Sequence, residues 1–189
     1  MQPWRNWFHC TGSMYGQWLP GDDRGWRQRD HRRHIEADYK HPFPKGEHES
    51  LHEYSKEQMN REPVELTVDQ RVAVCKAFHE AMIERAIDVV EISIGARHWH
   101  ALNRFIRVDE VPTKTRDPKS LIGAAKGKCA YVPGKQGIVK PGGIWAHGCR
   151  TLPIEDEGHF WNTKKYIHDH IFQGAAVLSE LVSIEEPRP

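Results

Sequence analysis

The sequence predicts an α+β fold of the ferredoxin-like kind, a split βαβ sandwich in which an antiparallel sheet carries helices on one face. Three observations predict it. The elements run strand, helix, strand, strand, helix, strand, helix, the order of that unit. A capped helix precedes a β-branched run that only Gly95-Ala96 separates from a second strand-like run. The length of 189 residues, 38% hydrophobic and 28% charged, suits one compact domain rather than two. Residues 1–189 are therefore read as a single domain with an irregular N-terminal insertion at about 20–63.

Trp7-Phe8-His9-Cys10-Thr11-Gly12 is a short apolar run ended by glycine and by the turn-rich segment 18–25, and reads as the first strand. The insertion that follows is rich in Pro, Gly, His and charge, with helical character between Ser50 and Asn60. Thr67 followed by Asp69 and Gln70 reads as a helix cap. Behind it Val68, Val72, Cys75, His79, Met82 and Ala86 recur at helical spacing up to about Ile87. Residues 88–94 alternate and are rich in β-branched side chains. After the Gly95-Ala96 turn, 97–105 supplies the partner strand of a hairpin.

A second helix is expected from Pro118 to about Tyr131, weakened by Gly123 and Gly127 and ended by Pro133 and Gly134. Ile144 to Arg150 is read as the last strand. The terminal helix starts near Glu155, acidic at its beginning and apolar at Phe160, Ile167 and Ile171.

Composition excludes several classes. No stretch approaches the roughly 18 apolar residues of a membrane span, and the N-terminal residues lack the basic-then-apolar pattern of a signal peptide, so a cytosolic protein is expected. Cys10, Cys75, Cys129 and Cys149 form no C-x-x-C pair and read as reduced thiols. The net charge of +1 lacks the global signature of a nucleic-acid binder, yet charge is unevenly distributed. Arg24, Arg27, Arg29, Arg32 and Arg33 lie near Trp18 and Trp26, and Lys119, Lys126 and Lys128 fall in a second basic segment between 111 and 140. Either is a candidate phosphate-tracking surface, or simply a solvated charged face.

His98 and His100 flank Trp99 in a strand, so period-two geometry sets both imidazoles on one sheet face with Cα atoms about 6.6 Å apart. They could share one divalent metal. With 13 histidines a chance H-x-H pair is expected, and His168 and His170 form another, so the pair alone is a weak signal. Tyr166 and His170, however, stand four apart and share a helical face about 5.4 Å along the axis. A third imidazole could thus join the first two, with a phenol beside it. The bland alternative is a core tyrosine next to a surface histidine.

Phosphoryl transfer needs nonbridging oxygens neutralised and a nucleophile held in line, which a metal and a tyrosine together provide. A phenol of reference pKa about 10 becomes a usable nucleophile near a cation, and a phosphotyrosine conserves bond energy for rejoining. His159 falls on the same helical face and could orient the site or touch DNA, against the plainer reading of a satisfied surface histidine. The competing tyrosines Tyr15, Tyr39, Tyr54 and Tyr131 have no metal-type residue in a matching helical frame.

Over about residues 4–176 the chain resembles the single-tyrosine HUH transposases, especially the REP-associated tyrosine transposases. The opening 8–22 is similar to their first-strand and turn motif, and Ala96-Arg97-His98-Trp99-His100 to their histidine, hydrophobic, histidine motif. Residues 144–154 resemble the segment leading into the nucleophile helix, and Lys165-Tyr166-Ile167-His168-Asp169-His170 resembles that helix. The resemblance implies His98, His100 and His170 as ligands of Mg²⁺ or Mn²⁺. It also implies Tyr166 as the nucleophile that cleaves single-stranded DNA and becomes linked to its 5′ phosphate. Many relatives carry Gln or Asn where this chain has His170, and imidazole accepts Mn²⁺ or Zn²⁺ more readily than Mg²⁺.

The expected function is therefore metal-dependent single-strand DNA nicking and joining near hairpins, in DNA transposition or a domesticated derivative. The chain would act in the cytoplasm at the nucleoid, as a monomer or a homodimer. Two other readings share the fold: a non-catalytic binder of structured nucleic acid, and a replication-initiator or relaxase-like nickase.

Overall fold

A computed structural model describes residues 4, 6–23, 26–27, 34–35, 44, 46–105, 117–139 and 143–180. Its main sheet has five strands: β1 (Trp7–Ser13), β4 (Ile87–Ile94), β5 (His98–Phe105), β6 (Arg150–Pro153) and β7 (Ala176–Ser179). They lie in the order β6-β1-β5-β4-β7, and every pairing is antiparallel. The two-residue strands β2 (Trp26–Arg27) and β3 (His34–Ile35) form a separate ribbon. The helices are α1 (Glu49–Glu57), α2 (Val68–Ile83), α3 (Pro118–Lys135) and α4 (Glu157–His168), the last continued by a 3-10 turn, Asp169–Gln173. β1, α2, β4, β5, α3 and β6 make up the expected βαββαβ unit, and α1 matches the helical character expected in the insertion.

Three of the four helices, α2, α3 and α4, start at a side-chain cap, whereas α1 has none. Thr67 and Gln70 form a reciprocal capping box, so two otherwise unpaired N–H groups of α2 are satisfied. The Asp117 carboxylate accepts from the N–H groups of Lys119 and Ser120, and Pro118 follows at the first position of α3, where its missing N–H costs nothing. Asp156 accepts from His159 N at 2.7 Å at the start of α4.

The buried stripe of α2 is Val74, Cys75, Phe78, Ala81 and Met82, centred on Phe78. Of the stripe read from sequence, Val68 and Val72 lie outside it, 63% and 44% exposed. At about 100° per residue both fall off the face centred on Phe78, and neither belongs to the buried core. With α3 this stripe encloses the larger core, which takes Ile92, Ile94, Trp99, Ala101 and Phe105 from the sheet. Helices α2 and α3 keep to one face as expected, but the terminal helix α4 lies on the opposite face, because Trp7, Val90 and Leu102 present a second apolar surface on which Phe160 and Ile167 pack. The sheet is thus covered on both sides at its centre.

Helix α2 closes at Ile83 instead of near Ile87, because Ala86 takes φ 53° and turns the chain directly into β4. Four other features differ from the sequence reading, each for a physical reason. Gly12 does not end β1. It pairs with Trp99, and a Cβ there would stand 2.8 Å from the indole Nε1, so the glycine makes room for a fully buried ring. The expected strand 144–150 is split: Trp145 makes one isolated bridge to Met14, Gly148 turns the chain at φ 72°, and pairing with β1 resumes at Arg150. α3 runs through Pro133 to Lys135, because so near the end of the helix the ring removes only a terminal hydrogen bond. β7 was not anticipated. Gly174, at φ 78°, closes the 3-10 turn and sends Ala176–Ser179 back along β4.

No helix among the described residues is long and apolar enough to cross a membrane. The four cysteines are free thiols, three of them buried.

Candidate metal and tyrosine site

β5 presents His98 and His100 to the α4 face while Trp99 is buried among the side chains of the opposite core. That is the period-two geometry expected of the strand. From the other side α4 and its 3-10 continuation bring Tyr166 and His170. The imidazole centroids of His98 and His100 are 5.2 Å apart, those of His98 and His170 5.3 Å, and those of His100 and His170 4.6 Å. One nitrogen from each of the three rings falls within 4.8 Å of the other two. Imidazole nitrogens sharing one ion at about 2.1 Å stand roughly 3–3.5 Å apart, so small rotations would bring the three into a common shell.

His170 and His100 each have one nitrogen already engaged. His170 Nδ1 lies 2.9 Å from the Tyr166 carbonyl, which can only accept, so this nitrogen donates and Nε2 is left as the basic atom. His100 Nδ1 lies 3.0 Å from His9 Nε2 on β1, and when His100 Nδ1 donates in this pair its Nε2 takes the same role. Burial, reinforced by His159, His170 and Arg150, holds His9 down at about 4. Burial likewise depresses His100, followed by the neighbouring His9, His170 and His98. Both rings are therefore neutral at physiological pH, the form in which imidazole binds a metal. The donor set suits Mn²⁺, Zn²⁺ or Co²⁺ better than Mg²⁺, which prefers oxygen.

Tyr166 stands at the rim. Its ring centroid is 4.8 Å from His170, 5.3 Å from His100 and 6.0 Å from His9, and the residue is 51% exposed. It is neither packed in hydrocarbon nor remote from the imidazoles. Tyr15 instead lies under the Arg61 guanidinium, and Tyr54 and Tyr131 are exposed on α1 and α3. Tyr39 is outside the described residues.

The basic positions fare unevenly. Arg24, Arg29, Arg32 and Arg33 lie outside the described residues, and Arg27 stands in β2. Lys119 is exposed on the first turn of α3, and Lys128 is exposed and paired with Glu84. Lys126 is only 6% exposed, and its ammonium donates to the carbonyls of Ala146 and Gly148. It ties down the loop before β6.

Sequence reasoning gave no role to His9, Arg150 or Glu91. His9 and Thr11 share a face of β1, but nothing local signals that His9 meets a ring 91 positions away. Glu91 is fully buried beneath α4, where its Oε1 accepts from Ser179 and contacts His168. His159, expected on the Tyr166 face, accepts from Glu155 N through Nδ1 and lies close enough to His9 to influence it.

No protein-family model matches the chain, and no curated protein or solved structure does either.

Proposed function

We propose that the chain is a metal-dependent single-stranded DNA nicking and joining enzyme of the HUH transposase type. The observation that carries this reading is the convergence of His98, His100 and His170 with a half-exposed Tyr166 at their rim. A divalent ion bound by the three imidazoles would supply neutralisation of the nonbridging oxygens of a phosphodiester. The Tyr166 carbonyl accepts from His170 Nδ1 and leaves Nε2 of that ring for an ion, and His9 would do the same for His100 by accepting from its Nδ1.

Tyr166 Oη attacks the phosphorus, the bond from phosphorus to the 3′ oxygen breaks, and the phenolic proton leaves to solvent. The departing 3′ oxygen takes up a proton to become a hydroxyl. The 5′ phosphate stays on Tyr166 as a phosphodiester, so a second 3′ hydroxyl can reverse the step and join strands. Exposure of Tyr166 suits an extended single strand, whose backbone reaches a surface nucleophile without base flipping. The substrate would be hairpin-bearing DNA at the nucleoid, handled by a monomer or a homodimer.

The test is incubation of hairpin-bearing single-stranded DNA with the protein and Mn²⁺ or Mg²⁺. A covalent adduct should form that survives denaturing electrophoresis and maps to Tyr166 by mass spectrometry. Tyr166→Phe should abolish it while DNA affinity changes less than about twofold. Absence of an adduct across a hairpin library, with DNA still bound, would instead favour a non-catalytic binder of structured nucleic acid.

A further inference from the structure

β4 contains a bulge at Val89–Glu91, and it decides which way a carboxylate points. Ile87 and Val89 face the core under α2 and α3. Strict alternation would continue with Glu91 in that core. The register shift places Val90 and Glu91 together opposite Leu102, on the α4 side, and returns Ile92 and Ile94 to the core. Bulges re-aim side chains in this way, often beside functional sites.

The re-aimed Glu91 is 0% exposed. Its Oε1 lies 2.9 Å from His168 Nδ1 and accepts from Ser179 Oγ at 2.6 Å, whereas Oε2 has no partner among the described residues. Its chain neighbour Val90 and its cross-strand partner Leu102 both belong to the apolar cluster beneath α4. A chain selected only for stability would do as well with an apolar residue here, since buried charged contacts are often replaced without loss. What the carboxylate adds is direction.

That direction acts on the helix carrying Tyr166. At about 100° per residue, Ile167 points down onto the sheet, with Tyr166 and His170 on one flank of the helix and His168 on the other. The first flank meets His98 and His100 on β5. The second meets Glu91 on β4, backed by Ser179 on β7. Rolling α4 about its axis lifts one flank as it lowers the other.

We infer that Glu91 is a positioning residue: through His168 it sets the roll of α4 and so brings His170 and Tyr166 into register with His98 and His100. The inference rests on the three-imidazole reading of the site and adds to it the part that aligns the site.

Co²⁺ titration followed by its visible ligand-field bands tests the inference without DNA. Glu91→Leu should keep the thermal midpoint at or above that of the native chain, yet weaken Co²⁺ binding by about tenfold and change the band intensities as His170 leaves the shell. His168→Ala, made on a half-exposed side chain, should give the same loss, and the double variant no further loss. Glu91→Gln, which keeps an acceptor oxygen, should restore most of the affinity. In the DNA assay the two disruptive variants should slow adduct formation at saturating DNA while the DNA Kd stays unchanged. Should Glu91→Leu not fold, His168→Ala decides. Folded variants that bind Co²⁺ with native affinity and spectrum would overturn the inference. A native protein that binds Co²⁺ but forms no adduct would remove the DNA-cleaving function and leave the cobalt results to judge Glu91.

Discussion

His9 Nε2 and His100 Nδ1 stand 3.0 Å apart, linking the first strand to the H-x-H strand through two neutral rings. One nitrogen must donate and the other accept. If His100 Nδ1 carries the proton, its Nε2 lone pair is directed at His98 and His170. Such outer partners fix tautomer and ring angle, and their loss typically costs 10–100-fold in metal affinity. His9→Ala should therefore weaken Mn²⁺ or Co²⁺ binding by at least about tenfold in calorimetry. His9→Gln, which retains an acceptor, should recover part of it. Unchanged affinity in His9→Ala would show that His100 needs no such partner.

The same burial makes a pH prediction for the metal-free protein. His9 is held at about 4, by burial first and then by His159, His170 and Arg150, and His100 is also depressed by burial first. In the unfolded chain both return to about 6.5. Between these values the unfolded state binds more protons, so stability rises with pH. Nothing is lost above about pH 6.5, and the loss grows as pH falls through 6 and 5 toward 4. The thermal midpoint should drop by several degrees from pH 7.5 to pH 5, on the order of 2 kcal/mol for each of the two rings, and His9→Gln should flatten the curve.

Gly12 lies under the Trp99 ring, where a Cβ would come within 2.8 Å of Nε1 and 3.0 Å of Cε2. Trp99 is wedged edge-on against Phe78 and Trp145 and cannot withdraw. Gly12→Ala should cost about 1–3 kcal/mol, measured by chemical denaturation. Because Trp99 sits between the two strand histidines, metal affinity should fall in the same variant.

Lys119 and Lys128 on one hand and Lys126 on the other should behave differently. The Lys126 ammonium, with its pKa lowered by burial, holds two loop carbonyls, so Lys126→Met should destabilise the fold by about 1–3 kcal/mol. It should leave the salt dependence of DNA binding unchanged. Lys119→Gln should do the reverse, lowering the salt slope by roughly one phosphate contact with no change in thermal midpoint. Equal slopes for native protein and Lys119→Gln would take the exposed start of α3 out of the DNA path.

What was legible in the sequence is what short-range geometry controls. The helix cap at Thr67, the shared face of His98 and His100, and the four-residue step from Tyr166 to His170 each follow from a fixed helical or strand period. From these the strand and helix order and the three imidazoles could be named. The stripe on α2 was only half legible, because periodicity admits neighbouring faces and only packing selects the one centred on Phe78.

The remainder depended on register between distant strands. His9 meets His100 across 91 residues, and Glu91 meets His168 across 77. Which side Glu91 faces turns on one bulge, and the burial of Lys126 on a loop that bends at Gly148. Likewise, the placement of α4 on the face opposite α2 and α3 follows from where Val90, Leu102 and Trp7 present an apolar surface. A chain writes its local periods into neighbouring residues. The pairings that aim the tyrosine and the imidazoles at one another exist only once the sheet has chosen its register.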